Sequence, residues 1–175
     1  MQVAPRKSTP VHVALLRGIN LGTAKRVAIA DLRALCEALD YGHVQTVLNS
    51  GNVIFSAPRA DARAAAKIEK EIASQLGVDS RVLVITGHEL DAIVAENPFA
   101  ESETNPSRFL VSVLASSVNG ARIAPLAAQS WGAERLGIGS HAAYLWCPME
   151  SSKARQCSHS ARRSATQART ATGRP

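Results

Sequence analysis

An α+β fold of two antiparallel split-βαβ repeats, the second one incomplete, is what three observations predict for this chain. Short apolar runs and helical stripes follow one another as strand, helix, strand, strand, helix, strand. The first part of that order starts again after residue 107. After Trp146 no Val, Ile, Leu, Phe, Trp or Tyr occurs through Pro175. The third observation bounds the folded body, because a segment without such side chains has little apolar surface to remove from water. Residues 149–175 carry Lys153, Arg155, Arg162, Arg163, Arg169 and Arg174 against Glu150 alone, so most of the net charge of +6 belongs to them. The basic balance therefore describes the tail and gives no argument for a nucleic-acid-binding domain.

The elements follow in order. Val11 to Leu16 is almost wholly apolar, as in a strand buried within a sheet. A loop with Gly18, Asn20 and Gly22 leads to Ile29, Leu32, Leu35, Cys36 and Leu39, whose three- and four-residue spacing puts them on one helical face that Gly42 ends. Val44 to Leu48 and Val53 to Ala57 flank Asn49, Ser50, Gly51 and Asn52, residues that favour a tight reversal, so a hairpin is predicted. Pro58 and Asp61 open a second helix lined by Ala65, Ile68, Ile72 and Leu76 and closed by Gly77. Arg81 to Ile85 is a further buried strand. Together these give the ferredoxin-like order, with two helices on one face of a four-stranded antiparallel sheet.

Gly87 to Phe99 reads as a connecting helix and Ala100 to Ser107 as a polar linker. Phe109 to Leu114 is then a strand, Val118 to Gln129 a helix interrupted by Pro125, and Leu136 to Ile138 with Ala142 to Trp146 a hairpin turning at Gly139 and Ser140. The expected organisation is a disordered extension over 1–10, a first repeat over 11–86, a connecting helix and linker over 87–107, a truncated second repeat over 108–148, and a disordered basic tail over 149–175. A homodimer that covers the incomplete repeat is one expected consequence.

With 175 residues and 46% hydrophobic content, the chain is long enough to bury a real core. No apolar run reaches the roughly 18 residues that span a bilayer, and residues 1–10 lack the apolar stretch of a secretion signal. A cytoplasmic protein without a membrane partner is expected. Cys36, Cys147 and Cys157 are odd in number and show no CxxC, which suits reduced thiols and neither a disulfide framework nor a zinc site. Cys36, on the helical stripe, is expected to be a buried free thiol.

Several stretches resemble the bacterial domain-of-unknown-function family 1697 (DUF1697). They are VALLRGINLG at 13–22, DLRAL at 31–35, LNSGNVIF at 48–55, NPF at 97–99 and AYLWCP at 143–148. The resemblance covers roughly residues 11–148 and implies an α+β fold of ferredoxin-like repeats, with no activity to carry over. Asn49 stands where Gln is usual, and Thr23 to Arg26 lack one of the usual glycines. Family members continue beyond the position of Pro148 into a serine-lysine turn, an apolar helix and an Arg-Asn-Trp-Ala-Thr segment. Shifting the frame of Arg169 to Pro175 by two bases permits that segment, so residues 149–175 read as a frameshifted stretch. A solvated basic tail with a role of its own is the alternative, and the coding DNA in the second frame decides between them.

The candidate ligand-binding residues are Arg17, Asn20, Asn49, Ser50 and Asn52, because the end of the first strand and the hairpin turn can bring them together. Arginine offers a planar fork to a carboxylate or phosphate, and the amides beside Gly18, Gly22 and Gly51 can add donors. In the alternative, Asn and Gly serve turn angles and Arg17 pairs with a local carboxylate. GINLG is not GxGxxG, and no GxxxxGK[ST] occurs. Ser50 lies in SGN, outside any GxSxG, and His12, His43, His88 and His141 are scattered, so no catalytic residue is assigned and enzymatic activity stays open. No metal site and no cofactor are expected. With 4% aromatic residues the strands cannot offer a base-stacking platform, so specific nucleic-acid binding is not expected. The functional expectation is a module for a small molecule or anion. The alternatives are a noncatalytic protein-interaction module and an inactive truncated copy of a family member.

Overall fold

The computed structural model describes residues 9–19, 27–47, 51–57, 61–100, 105–115 and 123–147. The expected extension over 1–8, Pro58, the linker residues 101–104, the helix start at Val118 and the basic tail lie outside these residues. The chain is mixed α and β and divides into two compact units, Met1–Leu90 and Asp91–Pro175.

The first unit contains β1 (Val11–Arg17), α1 (Ile29–Ala38), β2 (Gly42–Val47), β3 (Asn52–Ser56), α2 (Ala64–Glu71) and β4 (Arg81–Thr86). Its sheet runs β2-β3-β1-β4, and every neighbouring pair is antiparallel. The helical stripe on α1 is borne out, with Leu32, Leu35 and Cys36 buried. They pack with Ala14, Val53, Phe55 and Val82 of the sheet and with Ile68 and Ile72. Each such side chain contributes about 1.5–3 kcal/mol when fully removed from water.

Two boundaries differ from the sequence expectation. Gly42 does not end α1: it is the first residue of β2, where a β-carbon would come within 2.8 Å of Ser56 Oγ. The helix stops earlier, at Asp40, whose φ of 60° is left-handed. The Asp40 amide donates to the Glu37 carbonyl at 3.1 Å and the Tyr41 amide to the Cys36 carbonyl at 3.4 Å, the paired bonds of a Schellman ending. Aspartate tolerates that backbone region better than most residues, which is why no glycine is required.

The second difference is at α2, which begins three residues after Asp61. The Asp61 carboxylate accepts from the Arg63 amide at 3.0 Å and from Lys67 Nζ at 2.6 Å, while its carbonyl accepts from the Ala64 amide at 2.9 Å. Beyond Glu71 the helix widens into a π turn, Ile72–Leu76, before Gly77 closes it with φ 63°. That closure is the one the glycine predicts.

In the second unit, α3 (Gly87–Ala95), which begins in the first unit, leads to β5 (Phe109–Val113), a helical turn at 123–127, β6 (Arg135–Ile138) and β7 (Ala142–Trp146). Its antiparallel sheet runs β5-β7-β6. In chain order the first strand, β5, lies against the third, β7, and the third against the second, β6. The same placement holds for β1, β3 and β2. Tyr144, buried on the central strand, donates through its hydroxyl to the Ile93 carbonyl at 2.6 Å. The hairpin turn is held by Glu96, whose carboxylate accepts from the Ser140 amide at 2.7 Å and from Ser140 Oγ at 2.6 Å.

Buried acidic groups on the first unit give it an alkaline limit. Burial pushes the Cys36 thiol up to about 11, with Glu37 adding repulsion. Burial likewise pushes Tyr41 up to about 12, with the Asp61 carboxylate adding to it. Both groups are held neutral by the fold, so their contribution is complete below their ordinary values of 9.0 and 10.0 and is lost as pH rises toward the folded values. The melting temperature is expected to fall between about pH 9 and about pH 12, and Cys36→Ala is expected to delay the onset. A melting temperature that stays level through that window in the wild type contradicts this assignment.

Candidate functional site

The corner of the first sheet where β1 ends is built by contact between its following loop and the β2–β3 turn. Gly18 and Gly51 have φ of 92° and 83°, a region that side chains rarely enter. Ile19 lies directly over Gly51: a β-carbon there would overlap Ile19 Cδ1 and come within 3.2 Å of its Cγ1. Gly18 in turn sits under the Asp79 carbonyl, 3.4 Å from where its β-carbon would be. The loop after β1 and the SGN turn are therefore in contact, as the sequence reading required.

Of the five candidate residues, the described structure contains Arg17 and Asn52, while Asn20, Asn49 and Ser50 lie outside it. Arg17 is exposed at the end of β1, and Asn52 opens β3 opposite Val47. Strand alternation places both on one face. Val13 faces Ile54 across β1 and β3, Arg17 lies two pleats along from Val13, and Asn52 lies one pleat from Ile54. The opposite face carries Ala14, Val53 and Phe55 into the core.

The register adds a residue that sequence reasoning missed. Arg81, at the start of β4, is the direct cross-strand partner of Arg17, so two guanidinium groups project from the same face at the same corner. Like charges directly opposite one another in a sheet are destabilising. Among the described residues three ion pairs occur, and none involves Arg17. Arg81 reaches Glu69 only at 4.0 Å, with 81% of its side chain exposed, and Glu69 already accepts from the Val82 amide at 2.8 Å. A spacing signal for Arg81 did not exist, since residues 17 and 81 meet only through strand order and register. The local carboxylate weighed as a partner for Arg17 is not found among the described residues.

His12 is buried in the sheet, with its ring stacked on Phe55 at 5.4 Å, the structural role expected of it. Cys36 and Cys147 are buried free thiols. Among the described residues no group of three His, Cys, Asp or Glu side chains is arranged to hold a metal ion, and no helix is long and apolar enough to cross a membrane.

The family model for "Protein of unknown function (DUF1697)" matches residues 10–144. The chain belongs to the DUF1697 family. Its resemblance in LLRGIN and SGNV thus reflects membership, and these two DUF1697 motifs supply the contacting segments at the Arg17 corner. A conserved bacterial protein, SP0830 from Streptococcus pneumoniae, has a solved structure similar to this one. The TM-score is 0.66 at 24% identity, over 85% of this chain and 82% of that one. At that identity the likeness speaks for the fold alone. No curated protein matches the chain.

Proposed function

We propose that this DUF1697 protein is a binding module for a small anionic molecule, carrying a carboxylate or phosphate, at the Arg17 corner of a ferredoxin-like first unit. The sheet order β2-β3-β1-β4 with crossovers through α1 and α2 supports the ferredoxin-like reading. The second unit follows the same plan through three strands. The two buried free thiols suit a reducing compartment and so a cytoplasmic setting.

One observation carries the proposal: Arg17 stands opposite Arg81 on the face that also presents Asn52, with no carboxylate answering Arg17 among the described residues. An anion between the two guanidinium groups removes their repulsion and accepts charge-assisted hydrogen bonds from both. Asn52 and the segment holding Asn20, Asn49 and Ser50 supply neutral donors and acceptors for the rest of the ligand. The binding residues on this reading are Arg17, Asn20, Asn49, Ser50, Asn52 and Arg81.

Differential scanning with phosphate and with citrate tests the reading. Wild-type protein is expected to gain about 2.7 kcal/mol of stability at a ligand concentration 100-fold above Kd. Arg17→Ala and Arg81→Ala are each expected to abolish most of that gain while leaving the ligand-free protein folded. If neither anion stabilises the wild type, or if both variants respond like it, the site is not at this corner.

A further inference from the structure

The Arg17 corner leaves unexplained the outer edge of β5. In the first sheet the equivalent first strand, β1, is flanked on both sides, by β3 and β4. β5 is paired on one side only among the described residues, with β7. The Leu114 amide donates to the His141 carbonyl at 2.8 Å and the Cys147 amide to the Arg108 carbonyl at 2.9 Å, which fixes the phase of the β5–β7 ladder. In an antiparallel pair, hydrogen-bonded residues alternate with residues whose backbone groups point away. Leu110 and Ser112 therefore bond to β7, while the N–H and C=O groups of Phe109, Val111 and Val113 point outward from the sheet.

That edge has none of the usual protections. Natural edge strands are blunted by lysine, proline, glycine or a bulge. The other edge of this sheet, β6, carries Arg135 and Gly137, whereas β5 reads Phe-Leu-Val-Ser-Val with an unbroken register. Leu110 and Val111 are 40% and 39% exposed. Residues 148–175 contain no Val, Ile, Leu, Phe, Trp or Tyr, so a strand drawn from them would bring no matching side chain to these two.

We propose that the occupant of this edge is a second copy of the same chain, with β5 pairing antiparallel to β5 about a two-fold axis at Val111. The sequence is self-complementary in that register. Val111 faces the partner's Val111, and Phe109 faces the partner's Val113, so the outward-pointing backbone groups meet in hydrogen-bonded pairs. Aromatic and β-branched side chains meet across the strands, and no charge faces a like charge. The two three-stranded sheets become one continuous six-stranded sheet. This inference is independent of the Arg17–Arg81 site.

Sedimentation of the full chain over a concentration series, with hydrogen exchange at the β5 amides, tests it. The wild type is expected to double from its 18.5 kDa chain mass as concentration rises, with exchange at Phe109, Val111 and Val113 slowing in step. Val111→Pro removes only an outward-facing N–H and Val111→Lys sets two charges at the axis, so both are expected to lose the dimer while remaining folded by circular dichroism. Val94→Lys, at an exposed position on α3, is expected to keep it. A monomer throughout the series overturns the proposal, and so does a dimer that survives both Val111 variants or is lost with Val94→Lys. Slow exchange at these amides in a monomer also overturns it, since residues of the same chain would then cover the edge.

Discussion

Phe55→Ala is expected to lower the unfolding free energy of the first unit by about 4 kcal/mol, the range for emptying an aromatic site in a packed core. Phe55 is 1% exposed at the centre of β3, stacked on His12 at 5.4 Å and on Tyr41 at 4.3 Å. Its removal withdraws one ring from both neighbours and leaves a void between sheet and helices. The cost does not stop at the void. Buried His12 loses the ring it stacks on, and Tyr41, whose hydroxyl donates to Asp61 at 3.3 Å, loses the contact that orients it before α2. Urea unfolding followed by circular dichroism measures the change. Because the chain has two compact units, a first transition that moves to lower urea while a second stays in place is the expected pattern. A loss below about 1 kcal/mol would mean that the neighbours collapse into the space and that the Phe55 cluster is not tightly packed.

Gly51→Val is expected to cost about 3 kcal/mol and to weaken anion binding with it. Two effects add. A β-branched residue at φ 83° is strained by about 1–2 kcal/mol, and its side chain would enter the space of Ile19, a core residue 6% exposed. Overpacking of this kind costs about 1–3 kcal/mol. Ile19 must move, and the loop that follows Arg17 moves with it. Phosphate stabilisation and urea midpoint are therefore expected to fall together in Gly51→Val, whereas Arg17→Ala lowers the first and spares the second. If Gly51→Val is destabilised but binds phosphate as well as wild type, the contact of loop and turn does not shape the site.

Much of the first unit is legible from periodicity. The stripe of Leu32, Leu35 and Cys36 is set by three- and four-residue spacing, and the same faces are buried in the structure. The β2–β3 hairpin follows from two apolar runs around SGN, and Gly77 stops its helix because few other residues accept the left-handed backbone there. Asp40 shows where this logic falls short. A helix end that depends on positive φ points to the nearest glycine, yet a short polar side chain fills the same position. The site was legible in half. Arg17 and the SGN turn are linked by the chain order itself, but Arg81 joins them through a strand pairing across more than sixty residues of sequence. Charge alone gave no reason to single it out among the chain's 20 basic residues.

The widened turn at Ile72–Leu76 has a consequence for how this protein can change in length. A π turn holds one residue more than the α-helical turn it replaces. Deleting a single residue there would let the backbone tighten without breaking it, but everything after it would rotate by about 100° around the helix axis. Gly77 would leave its stop position, and the chain would enter β4 from a different side. Insertions and deletions that a surface loop absorbs silently would at this point re-aim Arg81, so the spacing between Ile72 and Arg81 is a ruler that the corner of the sheet depends on.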